Sequence, residues 1–98
     1  MHIFHITEKN AWQAAKKNPE YLGDTFSTDG FIHCCLLEQV EGVLKNWFDG
    51  KDNLILLEID TEILLAPIKN ENLEGGVELF PHIYGPINID AVIAEKSI

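Results

Sequence analysis

His2 to Thr7 alternates, with Ile3, His5 and Thr7 on one side and His2, Phe4 and Ile6 on the other, the period-two pattern of a strand. Thr7 is placed to cap a helix through Trp12, Ala14 and Ala15, with Glu8 near its positive end. Asn18-Pro19 closes that helix. From Glu20 to Gly30 the pattern is irregular, with Gly23, Asp24, Ser27, Thr28 and Asp29-Gly30 as turn formers. Phe31 to Cys35 predicts a short strand whose faces are Phe31, His33, Cys35 and Ile32, Cys34. The clearest helix follows: Leu36, Leu37, Val40, Val43, Leu44, Trp47 and Phe48 fall at steps of three and four, opposite Glu38, Glu41, Lys45 and Asn46. Asp49-Gly50 stops it.

Leu54 to Asp60 is a near-continuous apolar run, the mark of a central strand. Thr61 is placed to cap a single turn through Ile63 and Leu64, and Pro67 bars its extension. Ile68 to Glu71 predicts a short edge strand, Gly75-Gly76 a turn, Val77 to Phe80 a strand and Ile87 to Glu95 a last one. Strands outnumber helices, and some strand connections are too short for a parallel crossover. The fold class is therefore α+β with a mixed or mostly antiparallel sheet. A chain of 98 residues buries roughly two-thirds of its unfolded surface, enough for one core. Residues 1–98 form a single domain, without repeat, low-complexity tract or linker.

Composition is ordinary for a globular chain, 46% hydrophobic and 23% charged. The charge changes the picture: seven basic residues, all lysine, against 16 acidic ones give a net charge of −9. Nucleic-acid binding draws on Lys and Arg at phosphates, so a polyanion is excluded as partner. An anionic membrane face is disfavoured for the same reason. No segment approaches the ~20 apolar residues that span a bilayer, and the N-terminus lacks a signal-peptide pattern. Cys34 and Cys35 are adjacent, so a disulfide between them needs a distorted backbone. Two free thiols in a reducing cytoplasm are expected. Small-molecule ligands and a basic protein partner stay open.

Three histidines stand in distinctive places: His5 in the first strand, His33 in the second, His82 in a proline-framed loop. If the two strands are neighbours, His5 and His33 can face a common groove, with Thr7 and Phe31 beside them. The plainer reading of each alone is a partly buried histidine with one backbone hydrogen bond. Phe80-Pro81-His82-Ile83-Tyr84-Gly85-Pro86 is the most unusual stretch. Its prolines favour an extended path that aims His82 and Tyr84 to one side and Ile83 to the other. Such a stiff segment holds a ligand's partners ready at little entropic cost, or simply fills the edge of the core. A histidine-bound metal hydrolase lacks any supporting ligand spacing. A cysteine nucleophile is weak, because His33 and Cys34 face apart in a strand.

His5-Ile6-Thr7, Gly30-Phe31-Ile32-His33-Cys34 and the block Phe80 to Pro86 with Asp90-Ala91-Val92 resemble the small bacterial family known as domain of unknown function 952. The resemblance runs nearly end to end. It implies an ADP-ribosyltransferase-like fold, an α+β domain with a split mixed sheet, two main helices and a nicotinamide-dinucleotide cleft. By that resemblance His5 would hold a ribose hydroxyl or phosphate of NAD or ADP-ribose, with Thr7 beside it and His33 lining the same cleft. His82 and Tyr84 of the proline-framed segment complete the expected ligand site. Glu71, which keeps the family's glutamate, would be the carboxylate of a transferase, with Glu78 as substitute; its plainer reading is a solvated acid on an edge strand. Two positions depart from the family's pattern: Cys35 stands where serine is common, and Asn70-Glu71 where Trp-Glu is common. The RNA 2'-phosphotransferase branch of the fold holds phosphate with arginines, and this chain has none, which rules out that reaction. The expected function is thus binding of NAD or an ADP-ribosyl-like small molecule, with or without transfer. The alternative is a non-catalytic acidic module that meets a basic partner.

Overall fold

The elements of the computed structural model, which describes residues 1–23, 26–73 and 75–98, follow the chain as β1 (His2–Glu8), α1 (Lys9–Ala15), β2 (Glu20–Tyr21), α2 (Phe26–Asp29), β3 (Ile32–His33), α3 (Val40–Trp47), β4 (Leu54–Asp60), β5 (Ile68–Glu71), β6 (Phe80–Ile83), β7 (Ile87–Asn88) and β8 (Val92–Ser97). Single 3-10 turns precede α3 and β8. The apolar run Leu54–Asp60 is central, as its composition requires: β4 lies between β1 and β8. β1 pairs along its whole length, from His2 opposite Asp60 to Glu8 opposite Leu54. A second three-stranded sheet has the order β3-β6-β5, and β2 pairs with β7. Phe4 and Cys35 exchange both backbone hydrogen bonds at 2.8 Å and fasten β1 to the chain just after β3. The fold is α+β, with few and short helices. Every strand pair among the described residues is antiparallel, so the mixed sheet expected from the resemblance is corrected.

Alternation in β1 and β4 divides the interior in two. Ile3, Ile55, Leu57 and Ile59 face a larger core with Trp12, Ile32, Ile83 and Ile87. Phe4, Ile6 and Leu54 face a smaller one with Cys35 and Val40, flanked by Val43, Leu44 and Phe48. β4 reads as a continuous apolar run because both of its faces are covered.

Several local expectations change. Thr7 does not cap α1: pairing of β1 extends through Glu8, which takes the N-cap position without a side-chain bond. Thr61 does not cap its turn either. The Asp60 carboxylate accepts the Glu62 N–H at 2.9 Å, while the Thr61 hydroxyl donates to the Met1 carbonyl. The stretch read as irregular contains β2 and the single turn α2; Asp24 lies outside the described residues. Residues 77–79 are not a strand, and Val77 is exposed. The predicted helix face is only partly buried, with Leu37 and Trp47 exposed. The last strand is interrupted by the turn Ile89–Ala91.

The proline-framed segment is a strand rather than a loop. Pro81 has no N–H to give, and its carbonyl accepts the Cys34 N–H at 3.1 Å. The extended path has its expected consequence: Ile83 is fully buried in the larger core, and His82 and Tyr84 both turn to Glu71. A Cβ on Gly85 would lie 2.9 Å from the Ala66 Cβ, so only glycine allows this close pass.

Candidate functional site

Strand register assembles a polar cluster on one face of the second sheet. His33 of β3 stands opposite His82 of β6, and His82 stands opposite Lys69 of β5. Glu71, two residues beyond Lys69, is the diagonal neighbour of His82, a separation long side chains bridge. One oxygen of its carboxylate, Oε1, accepts from His82 Nδ1 at 3.0 Å and from the Tyr84 hydroxyl. The Phe31 ring stacks on His82 at 4.2 Å with a 19° tilt. His33 meets His82 edge-on at 5.3 Å, and its Nε2 is bonded to the Asp29 carboxylate at 2.8 Å. Lys69 Nζ lies 4.9 Å over the Tyr84 ring.

The cluster opens on a cleft of about 580 Å³ between the two sheets and α3, within the usual range for small-molecule sites. His5, Thr7, His33, Glu71 and His82 all line it. Tyr84 does not; it reaches the site through Glu71. The opposite wall is apolar, formed by Phe4, Ile6, Val43, Trp47, Phe48 and Phe80. Three carboxylates, Glu8, Asp29 and Glu71, share the lining with one lysine, Lys51.

His5 lines the cleft without joining the ring cluster. Its Nδ1 donates to the His33 carbonyl at 2.6 Å, and its Nε2 pairs with the Tyr21 hydroxyl at 2.9 Å. It thus ties β1 to β3, the backbone-bonded role that a lone strand histidine most often has. Asp29, Lys51 and Trp47 were not legible as site residues. Asp29 reads as a turn former, and no local spacing signals its bond to His33.

The Tyr84 hydroxyl, and after it the His82 ring, hold the Glu71 carboxyl below the usual glutamate range. The same bond, with Glu71's charge beside a forming phenolate, pushes the Tyr84 hydroxyl up. A depressed carboxyl stabilises the fold fully above its ordinary value of about 4.3 and loses that contribution as pH falls through the native value. Wild type is therefore expected to resist urea better than Glu71→Gln at neutral pH. The advantage should shrink as the pH falls below the ordinary glutamate value, and be lost once it passes the depressed native one. Urea midpoints that coincide at neutral pH would refute this.

Burial pushes the Cys34 thiol well up, with Cys35 adding to the effect, and pushes Cys35 to about 11. Both are free thiols, and a neutral buried thiol is a poor nucleophile. Among the described residues no three His, Cys, Asp or Glu side chains converge as metal ligands. Among the described residues no helix is long and apolar enough to cross a membrane.

Comparison with known proteins places the chain. The family model for proteins of unknown function (DUF952) matches residues 6–95. The crystal structure of protein CC0527 from Caulobacter crescentus is similar at a TM-score of 0.86 and 35% identity, over 98% of this chain and 84% of that one. Its solution NMR structure is similar at a TM-score of 0.83 and 35% identity, over 99% and 84%. No curated protein matches the chain.

Proposed function

The chain belongs to the DUF952 family of proteins of unknown function, and from its cleft we propose that it binds a nucleotide-like small molecule, the ribosyl end of NAD or ADP-ribose being the best-fitting portion. The observation that carries this reading is the Glu71–His82 pair, backed by Tyr84 and with His82 stacked on Phe31, in the lining of a cleft that has an aromatic wall. Vicinal hydroxyls suit the acceptors and donors at Glu71, His33 and Thr7, and a planar ring suits Phe4, Phe48 and Trp47. The two three-stranded sheets, joined at Phe4 and Cys35, support an ADP-ribosyltransferase-like arrangement. The free thiols support a reducing, cytoplasmic setting.

The diphosphate of the whole dinucleotide fits less well. Among the residues lining the cleft it meets three carboxylates and a single lysine, and like charges at 4 Å repel by about 4 kcal/mol near a protein surface. The fit therefore favours the nucleoside end, with Glu71 as the carboxylate of a transferase form.

Calorimetric titration of adenosine, nicotinamide riboside, NAD and ADP-ribose tests the reading. Saturable binding that weakens at least about tenfold in His33→Ala, a loss of about 1.4 kcal/mol, is the expected result. Absence of heat from all four up to about 1 mM would overturn it.

A further inference from the structure

We propose that His82 is a general base, aligned by Glu71, which presents Nε2 to the cleft and takes a proton from a neutral or cationic, planar organic ligand. This rests on the reading of the cleft as a small-molecule site and adds a reaction to it. A carboxylate oxygen only accepts, so the Glu71 bond at 3.0 Å puts the ring proton on Nδ1 and leaves the lone pair on Nε2. Nε2 has no hydrogen bond among the described residues. No buried side-chain nitrogen or oxygen among them lacks a partner, so Nε2 is not sealed, and His82 lines the cleft.

Three restraints fix the ring. Phe31 stacks on it at 4.2 Å, the Glu71 bond sets its rotation, and Tyr84 holds the same Oε1, so Glu71 cannot turn away without breaking two bonds. The imidazolium formed on proton uptake is stabilised by the Glu71 charge and by the face of Phe31. Glu71 is in this scheme a positioning residue that acts through His82. The apolar wall and the carboxylates Glu8 and Asp29 select against anionic ligands and set the substrate class.

The probe is 5-nitrobenzisoxazole, a neutral planar bicycle that opens on loss of its ring C–H proton. His82 Nε2 takes the proton, the C–H electron pair completes a nitrile, the N–O bond breaks and the oxygen departs as a coloured phenolate. The imidazolium returns its proton to water, so no co-reactant is consumed. A positioned base contributes about 10²–10⁴-fold; the full chain is expected to turn the probe over, and His82→Ala to lower kcat/KM at least tenfold on that scale. Glu71→Gln should lower kcat more than it changes KM, because Glu71 acts on proton transfer through His82. Nitrogen-15 NMR of the wild type, independent of any variant's folding, should find the neutral His82 ring protonated on Nδ1. A ring protonated on Nε2, or wild-type turnover no faster than that of folded His82→Ala, would overturn the proposal. Nucleoside binding without probe turnover would remove the base and leave the binding reading. Probe turnover without nucleoside binding would do the reverse.

Discussion

Leu57→Ala is expected to lower the free energy of unfolding by about 3 kcal/mol, in the lower half of the range for deleting a buried leucine side chain. Leu57 is at 0% exposure, in the middle strand of the main sheet, between His5 of β1 and Glu95 of β8. It belongs to the larger core with Ile3, Ile59 and Ile83. Strand pairing on both edges holds the backbone of β4, so the surroundings have little freedom to collapse into the space left. For a chain of this size such a loss corresponds to a fall in Tm of roughly 12–24 °C. Urea unfolding should give a lower midpoint at an unchanged slope, since the surface exposed hardly changes. Val77→Ala is the control: that side chain is exposed and the change should stay within about 0.5 kcal/mol. A cost below about 1 kcal/mol for Leu57→Ala would contradict the central position of β4.

How much of this was legible depends on the range of the interactions involved. β1 and β4 were readable because a period of two, or an unbroken apolar run, reports burial directly, residue by residue. The orientation of His82, Ile83 and Tyr84 was readable because Pro81 and Pro86 restrict the path between them. That the segment is a paired strand was not, because its partners β3 and β5 are remote in sequence. Thr7 failed as a cap for a related reason: pairing of β1 continues through Glu8 opposite Leu54, so the helix starts one residue later than the local signal places it. Leu37 and Trp47 obey helical spacing yet stay exposed, since periodicity predicts a face and not how far a partner covers it.

The site divides in the same way. His33, His82 and Tyr84 announce themselves by residue type and setting, whereas Glu71 entered through family resemblance alone. Its position is decided by the register of β5 against β6, which pairs it with Phe80 and leaves it diagonal to His82. No local rule could place Asp29 beside His33 either, because Gly30, at φ 80°, turns the chain between α2 and β3. Glycine enters this left-handed region at no steric cost, and the turn sets Phe31 against the histidines. The electrostatic character of the cleft was partly readable: absence of arginine is a property of the sequence, and the excess of carboxylates over lysine at the lining follows from it.

Phe31→Ala is expected to cost about 3 kcal/mol, at the low end for a buried phenylalanine, and to remove most of the cleft's proton-transfer activity. The residue is 6% exposed and its ring touches three others, His33 at 4.7 Å, His82 at 4.2 Å and Tyr84 at 5.3 Å. Truncation opens a void beside the very imidazole whose angle the Glu71 bond alone must then hold. Stability and function are separated by Phe31→Leu, which keeps most of the apolar volume and should cost less than about 1.5 kcal/mol. Leucine supplies no flat face, however, so the His82 ring gains freedom to tilt about its Nδ1–Glu71 bond, and its cation loses the π surface. Turnover of the benzisoxazole probe should therefore fall several-fold in a variant that melts nearly as wild type does, and nitrogen-15 NMR should find the His82 ring signals broadened or shifted. Unchanged turnover in Phe31→Leu would mean that the hydrogen bonds to Glu71 suffice to aim His82, and that Phe31 serves the interior alone.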